Sequence, residues 1–128
     1  MHSTHFSEHE LTCRCGCGLN AATEELLDLA EACRMILNTS MVVHCATRCA
    51  THNAEVGGEK NSKHITGQAM DFHAVGLAPR VVYNVLRSWA ETGRLPQLGG
   101  IGLYDWGVHI DTVHAPDGHL RTWDYSNG

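Results

Sequence analysis

Long apolar runs are missing from this chain: no uninterrupted hydrophobic stretch exceeds a few residues, so no segment reads as a membrane-spanning helix. Positive charge is scarce as well. Nine Lys and Arg stand against fourteen Asp and Glu, a net charge of −5 with His neutral. The clustered cationic surface from which nucleic-acid binders gain affinity is therefore absent, and neither nucleic acid nor membrane is expected as a partner. The first ten residues, MHSTHFSEHE, lack the apolar stretch of a signal peptide, so the expectation is cytoplasmic synthesis without an export signal. No internal repeat and no low-complexity linker breaks the 128 residues, which are expected to form one domain. A hydrophobic share of 43% against 18% charged is the balance of a globular protein, long enough to build its own core. What is abundant is metal-binding chemistry: ten His and six Cys.

The pattern predicts mixed secondary structure. Residues 1–20 read as an irregular arm ending in a Cys cluster. A helix is expected from about Thr23 to Asn38: Thr23 can cap, Glu24 and Glu25 suit the positive end of the helix dipole, and Leu26, Leu27, Ala30, Cys33, Ile36 and Leu37 recur at helical spacing. Met41–Cys45 reads as a buried strand, and 46–67 as a long polar loop of the kind that more often carries function than not. Gln68–Ala74 reads as a strand with Met70 and Phe72 on one face and Ala69, Asp71 and His73 on the other. A second helix opens at Pro79 and stops near Gly93. The tail is expected to form an antiparallel meander of Ile101–Tyr104, Val108–Val113 and Leu120–Trp123, with turns at Asp105-Trp106-Gly107 and Pro116-Asp117-Gly118. The class is α+β: a single domain with a small antiparallel sheet and flanking helices.

One constellation carries chemistry. On a strand, His109 and Asp111 share a face while Val108 and Ile110 take the other. Asp71 stands in the same relation to Met70 and Phe72, and His64 lies seven residues upstream on the loop feeding that strand. Two imidazoles and a carboxylate are a frequent ligand set for catalytic zinc, with the fourth position left to solvent. The alternative is that each His is a solvated or hydrogen-bonded surface residue, a reading that spacing alone leaves open.

The motifs around these residues resemble a known family. Ser62-Lys63-His64-Ile65-Thr66-Gly67-Gln68-Ala69-Met70-Asp71 resembles the S-x-H-x-x-G-x-A-x-D signature of the M15 zinc peptidases, the D-alanyl-D-alanine carboxypeptidase group. Thr47-Arg48-Cys49-Ala50-Thr51-His52-Asn53 with Val56-Gly57-Gly58 is similar to the segment preceding it. Val108-His109-Ile110-Asp111 resembles the late H-x-D strand, and Arg121 and Trp123 the ending that follows. The opening HFSEHELTCRCGCG is similar to that of small phage and bacterial members. The resemblance implies one zinc ion per chain on His64, Asp71 and His109, on the sheet face of a fold shared with the hedgehog signalling domain. It implies substrate contacts from Arg48 and Ser62, Arg48 holding a carboxylate or polarising the scissile carbonyl, work that suits its planar fork. Gly67 would allow a close turn between His64 and the strand.

The sequence departs from the family pattern in two places. Several relatives carry a glutamate base three positions before the last metal His, where this chain has Trp106. Asp111 is the candidate proton acceptor in its place, with Asp105 in reserve and His114 behind it; the competing role for Asp111 is to orient a ligand or Arg121. The usual Ser-Gly-Tyr before the arginine is Cys45-Ala46-Thr47. The function implied is hydrolysis of an amide bond in peptidoglycan stem peptides, as a carboxypeptidase or an endolysin-type endopeptidase, in a bacterium or released to the wall by a phage. Trp106 keeps open an alternative, a catalytically inactive hedgehog-like zinc-binding module. A Cys-rich zinc module reading nucleic acid is disfavoured by the charge.

Cys13, Cys15 and Cys17 form C-x-C-x-C, unlike the C-x2-C spacing of zinc knuckles and ribbons. Three readings compete: a small second metal site with Cys49, a disulfide joining the arm to the Arg48 loop through Cys49, or free thiols. Disulfide or thiols are favoured over a second ion. Cys33 reads as core and Cys45 as buried. His2, His5 and His9 are expected to be exposed and mobile, His44 hydrogen-bonded, His73 close to the ligands, and His114 and His119 solvated. Trp89 is expected in the core, with Trp106 and Trp123 as walls of the cleft.

Overall fold

The computed structural model describes residues 2–127 and arranges them as five strands in one mixed sheet with helices packed on its inner face. In chain order the elements are α1 (Glu8–Leu11), α2 (Glu24–Leu37), β1 (Met41–Cys45), α3 (Ala50–Glu55), β2 (Ala69–Ala74), α4 (Pro79–Glu91), β3 (Gly100–Leu103), β4 (Val108–Asp111) and β5 (Arg121–Asp124). The two long helices start and stop as the sequence signals. The Thr23 side chain accepts from the Leu26 amide at the start of α2, and Asn38 closes that helix in the left-handed region at φ 52°. Pro79 opens α4.

The spatial order of strands is β1-β2-β4-β3-β5, so β2 and β4 lie side by side at the centre. Strand alternation sends Met70, Phe72, Val108, Ile110, Ile101 and Leu103 to the inner face, all essentially without solvent exposure, against Leu26, Ala30, Val82 and Leu86 of the helices. Burying each large side chain contributes roughly 1.5–3 kcal/mol. Cys33 and Trp89 belong to this core or its edge, as expected.

Four expectations need correction. The tail is not an antiparallel meander: β3 and β4 are antiparallel, but β5 pairs parallel with β3. Both edges of β4 are already taken, by β2 and β3, so the strand returning after β4 joins the outer edge of β3, and running opposite to β4 it runs with β3. Nor is the arm irregular throughout. Ser7 and Glu10 form a capping box at the start of α1, a Ser-x-x-Glu signal readable in the sequence, and Phe6 and Leu11 are core residues. His5, expected to be mobile, pairs with Glu31 of α2. The polar stretch 46–67 also contains a short helix, α3, whose N-cap is Cys49 and which includes His52.

Candidate active site

The outer face of the sheet carries the chemistry, and register puts it there. Asp71 on β2 is the direct cross-strand partner of His109 on β4. The same lateral row runs from Cys45 on β1 through Asp71, His109 and Gly102 to Trp123 on β5. Residues opposite one another on neighbouring strands project to one face, so Asp71 and His109 meet without help from any loop. His64 arrives from the loop before β2. Its amide donates to Ser62 Oγ at 3.2 Å. The loop then turns at Gly67, φ +71°, where a Cβ would lie 1.7 Å from the Ala21 carbonyl oxygen, so no side chain fits. The close turn expected there is observed.

Asp71 stands between the two imidazoles. His64 Nε2 is 3.1 Å from Asp71 Oδ2, and His109 Nδ1 is 2.9 Å from Asp71 Oδ1. These three donor groups lie within 4.8 Å of one another. The nitrogens that face outward are also held. His64 Nδ1 lies 2.7 Å from the Ala46 carbonyl oxygen, and His109 Nε2 lies 2.9 Å from Asp111 Oδ2. Each imidazole is thus fixed on its far side by an acceptor, the arrangement that sets tautomer and ring orientation in metal sites, and it leaves Nε2 of His64 and Nδ1 of His109 aimed at a common point. The donor set fits a divalent cation.

The electrostatics agree. Burial by itself would lower the pKa of His64, but hydrogen bonding to Asp71 outweighs it and pushes the group up to about 10. His109 is raised likewise, burial being outweighed by Asp111 and Asp71. Burial raises Asp71, yet its bonds to His109 and His64 hold it well below the usual carboxylate range. A buried carboxylate is tolerated here because two cationic partners, or one metal ion, compensate it.

Asp111 is fully buried, and both of its oxygens are engaged. Oδ2 faces His109; Oδ1 accepts from the Val113 amide at 3.0 Å and from Arg121 Nη2. Two glycines of β3 make this possible. Gly100 lies between Asp111 and Arg121 in the sheet, and a Cβ there would come within 2.4 Å of the guanidinium. Gly102 lies between His109 and Trp123, and a Cβ there would be 2.1 Å from the indole nitrogen. Without side chains at these positions, Arg121 and Trp123 reach across β3 onto β4, and the Trp123 ring settles 5.2 Å from that of His109. The pairing of Asp111 with Arg121 is the competing role the sequence left open; the reach across β3 was not foreseen, and the Gly-x-Gly alternation at the start of β3 is its trace in the sequence.

The site opens into a cleft of about 490 Å³, within the range of small-ligand pockets. Arg48 and Ser62 line it, as does Lys63. Arg48 is anchored by Asn53 Oδ1 at 3.0 Å and approaches Cys45 Sγ at 3.5 Å. The opposite wall is aromatic: Tyr104 stacks on Trp106 with centroids 4.9 Å apart and meets Tyr125 edge-on, while its hydroxyl accepts from Trp123 Nε1 at 2.9 Å. Trp106 and Trp123 are therefore cleft walls as expected; Lys63, Glu59, Tyr104 and Tyr125 are additions. Neither reserve candidate for the base lines the cleft: Asp105 bonds Asn127 on an exposed loop, and His114 lines a different cavity. His73, on the strand of Asp71, pairs with His44 at 2.7 Å.

The sequence matches the peptidase M15 family over residues 4–111. The chain belongs to that family. A stretch of 93 residues is 37% identical to a Haemophilus influenzae protein named probable peptidoglycan L,D-endopeptidase MepK. The match covers 67% of this chain and 44% of that protein, so the chain spans less than half the length of this relative. No solved structure matches the chain significantly. The matched region includes His64, Asp71, His109 and Asp111.

Proposed function

We propose that the protein is a zinc-dependent peptidase that hydrolyses an amide bond in peptidoglycan stem peptides. The convergence of His64 Nε2, Asp71 and His109 Nδ1 at the floor of the cleft carries this reading. These three residues would hold the ion, which when bound supplies Lewis acidity and makes a water more acidic near neutral pH. The Haemophilus relative's name makes an L,D bond the first to test.

The chain's own residues have distinct tasks. Asp111 and the Ala46 carbonyl fix the two imidazoles, so the ligand nitrogens are aligned before an ion arrives. The proton-accepting role expected of Asp111 gives way to this positioning role, because both of its oxygens are spoken for and it lies across the His109 ring from Asp71. Arg48, with Lys63 on the same cleft, supplies fixed positive charge for a peptide carboxylate or for the oxyanion that develops at the scissile carbonyl. The wall of Tyr104 and Trp106 offers a flat apolar face to the rest of the substrate. Incubating the protein with purified muropeptides and separating the products tests the reading. Free D-alanine marks a carboxypeptidase and opened cross-links an endopeptidase. The His64→Ala variant should lose metal and activity together, and full activity in metal-free protein would end the proposal.

Trp106, where several relatives carry a glutamate base, favours a second reading: a zinc-binding module that holds wall peptides without cutting them. Muropeptide binding without turnover, in protein carrying a full complement of zinc at this site, would establish it.

A further inference from the structure

A second group of metal-binding side chains lies outside the cleft. Cys13, Cys15, Cys17 and Cys49 bring four sulfurs to within 4.8 Å of one another. We propose that these four cysteines bind a second zinc ion, in a closed, structural site that fixes the N-terminal arm to the loop carrying Arg48.

The spacing of the sulfurs fits an ion better than a covalent bond. Cys13 Sγ and Cys15 Sγ are 3.5 Å apart, and Cys15 Sγ and Cys49 Sγ are 3.7 Å apart. A tetrahedral ion with Zn–S of about 2.3 Å holds its sulfurs roughly 3.8 Å apart, whereas a disulfide needs about 2.05 Å. All six cysteines are free, so of the readings left open by the sequence the disulfide between the arm and Cys49 is not formed. The backbone is arranged for thiolates. The Cys49 amide donates to Cys13 Sγ at 3.4 Å, and the His52 amide donates to Cys49 Sγ at 3.4 Å. Gly16 and Gly18 adopt φ of +86° and +83°, and the Cys13 amide donates to the Leu19 carbonyl at 2.8 Å. Those left-handed turns curl a segment that would otherwise extend, so that sulfurs two residues apart gather on one side.

The remaining cysteines show that this is selective. Cys33 is sealed in the helical core, and Cys45 faces His64 and Arg48 at the cleft. Four soft thiolates select zinc over magnesium or calcium, and four protein ligands leave no position for solvent, which makes the site structural and separates it from the three-ligand centre in the cleft. Binding releases the thiol protons and involves no redox change. Cys49 caps α3 and directly follows Arg48, and the arm already contacts this loop through Thr47 N to Leu11 O at 3.1 Å and Ala21 N to Thr47 Oγ1 at 2.9 Å. An ion here would join the two segments at the base of the cleft's arginine.

The test uses the full chain prepared in reducing, zinc-replete medium. Elemental analysis should give two zinc ions per chain, falling to one in the Cys15→Ser/Cys17→Ser double variant. The His64→Ala variant should also hold one zinc, but the thiolate-bound one, so failure of this site and failure of the cleft site are told apart. Cobalt exchange should give intense sulfur-to-cobalt charge-transfer absorption in the wild type and in His64→Ala, and none in the cysteine variant. Should the cysteine variant not fold, the cobalt spectra of the other two proteins decide the matter. A single zinc that vanishes in His64→Ala, absence of the thiolate–cobalt band, or a mass deficit marking a disulfide among these four residues would each overturn the proposal.

Discussion

Replacing Asp111 with Asn separates a positioning role from a proton-accepting one. The substitution keeps the shape of the side chain and one oxygen that can accept from His109 Nε2, now 2.9 Å from the carboxylate. It removes the charge that the Arg121 guanidinium meets on the other side. Loss of the carboxylate behind a metal-bound imidazole costs about 10–100-fold in metal affinity, or roughly 1.4–2.7 kcal/mol. Breaking the pair with Arg121 adds a stability cost, below the ~3–5 kcal/mol of a fully buried pair because the Arg121 side chain is 32% exposed. The zinc dissociation constant, measured by competition with a chelator, should therefore rise about 10–100-fold, and turnover should return when zinc is raised to saturation. The opposite outcome refutes the reasoning. If zinc affinity is unchanged while kcat falls by about 10²–10⁴-fold and one limb of the pH profile disappears, Asp111 is the proton acceptor after all.

Further outcomes follow from the same geometry. In metal-free protein at pH 7, His64 is protonated, its pKa being pushed up to about 10, so zinc uptake must displace that proton. Calorimetry in buffers of different ionisation enthalpy should show proton release, and apparent affinity should climb with pH; uptake without release would contradict the charge state assigned to the site. The sign for stability is also fixed: the raised His64 contributes fully below its ordinary 6.5 and is lost as pH climbs toward about 10, while the depressed Asp71 contributes above its ordinary 3.8 and is lost in acid. Metal-free protein should be most stable between those two values, as urea midpoints across pH would show. Gly102→Ala should displace the Trp123 indole, costing about 1–3 kcal/mol and shifting tryptophan fluorescence. In a Trp123→Ala background the same change should be nearly neutral, and an equal cost in both backgrounds would refute the contact argument. Arg48→Lys should leave zinc content intact and lower kcat/KM, because a point charge replaces a planar fork; unchanged kinetics would remove Arg48 from the substrate.

The two long helices were legible because their signals are local. Caps, dipole-matched charges and a 3.6-residue apolar stripe act within one segment, and Thr23, Asn38 and Pro79 mark boundaries that hold in the structure. The clustering of the candidate ligands was legible for a related reason: alternation fixes which face Asp71 and His109 take once their strands exist, whatever lies beside them. The short α1 could have been read from Ser7 and Glu10 and was obscured by the Cys-rich, polar segment around it. What sequence could not supply was adjacency. That β5 joins β3 in parallel depends on which sheet edges remain open after β2 and β4 have paired, a property of the assembled sheet and of no single segment. That Asp111 has both oxygens engaged depends on Arg121 reaching it over Gly100. The sulfurs of Cys13, Cys15, Cys17 and Cys49 likewise converge only because the arm packs against the loop before α3. Side-chain chemistry and strand parity are written residue by residue along the chain, but which groups touch across more than thirty positions is settled by packing, where burial of the common core chooses one arrangement of segments and brings their outer faces along with it.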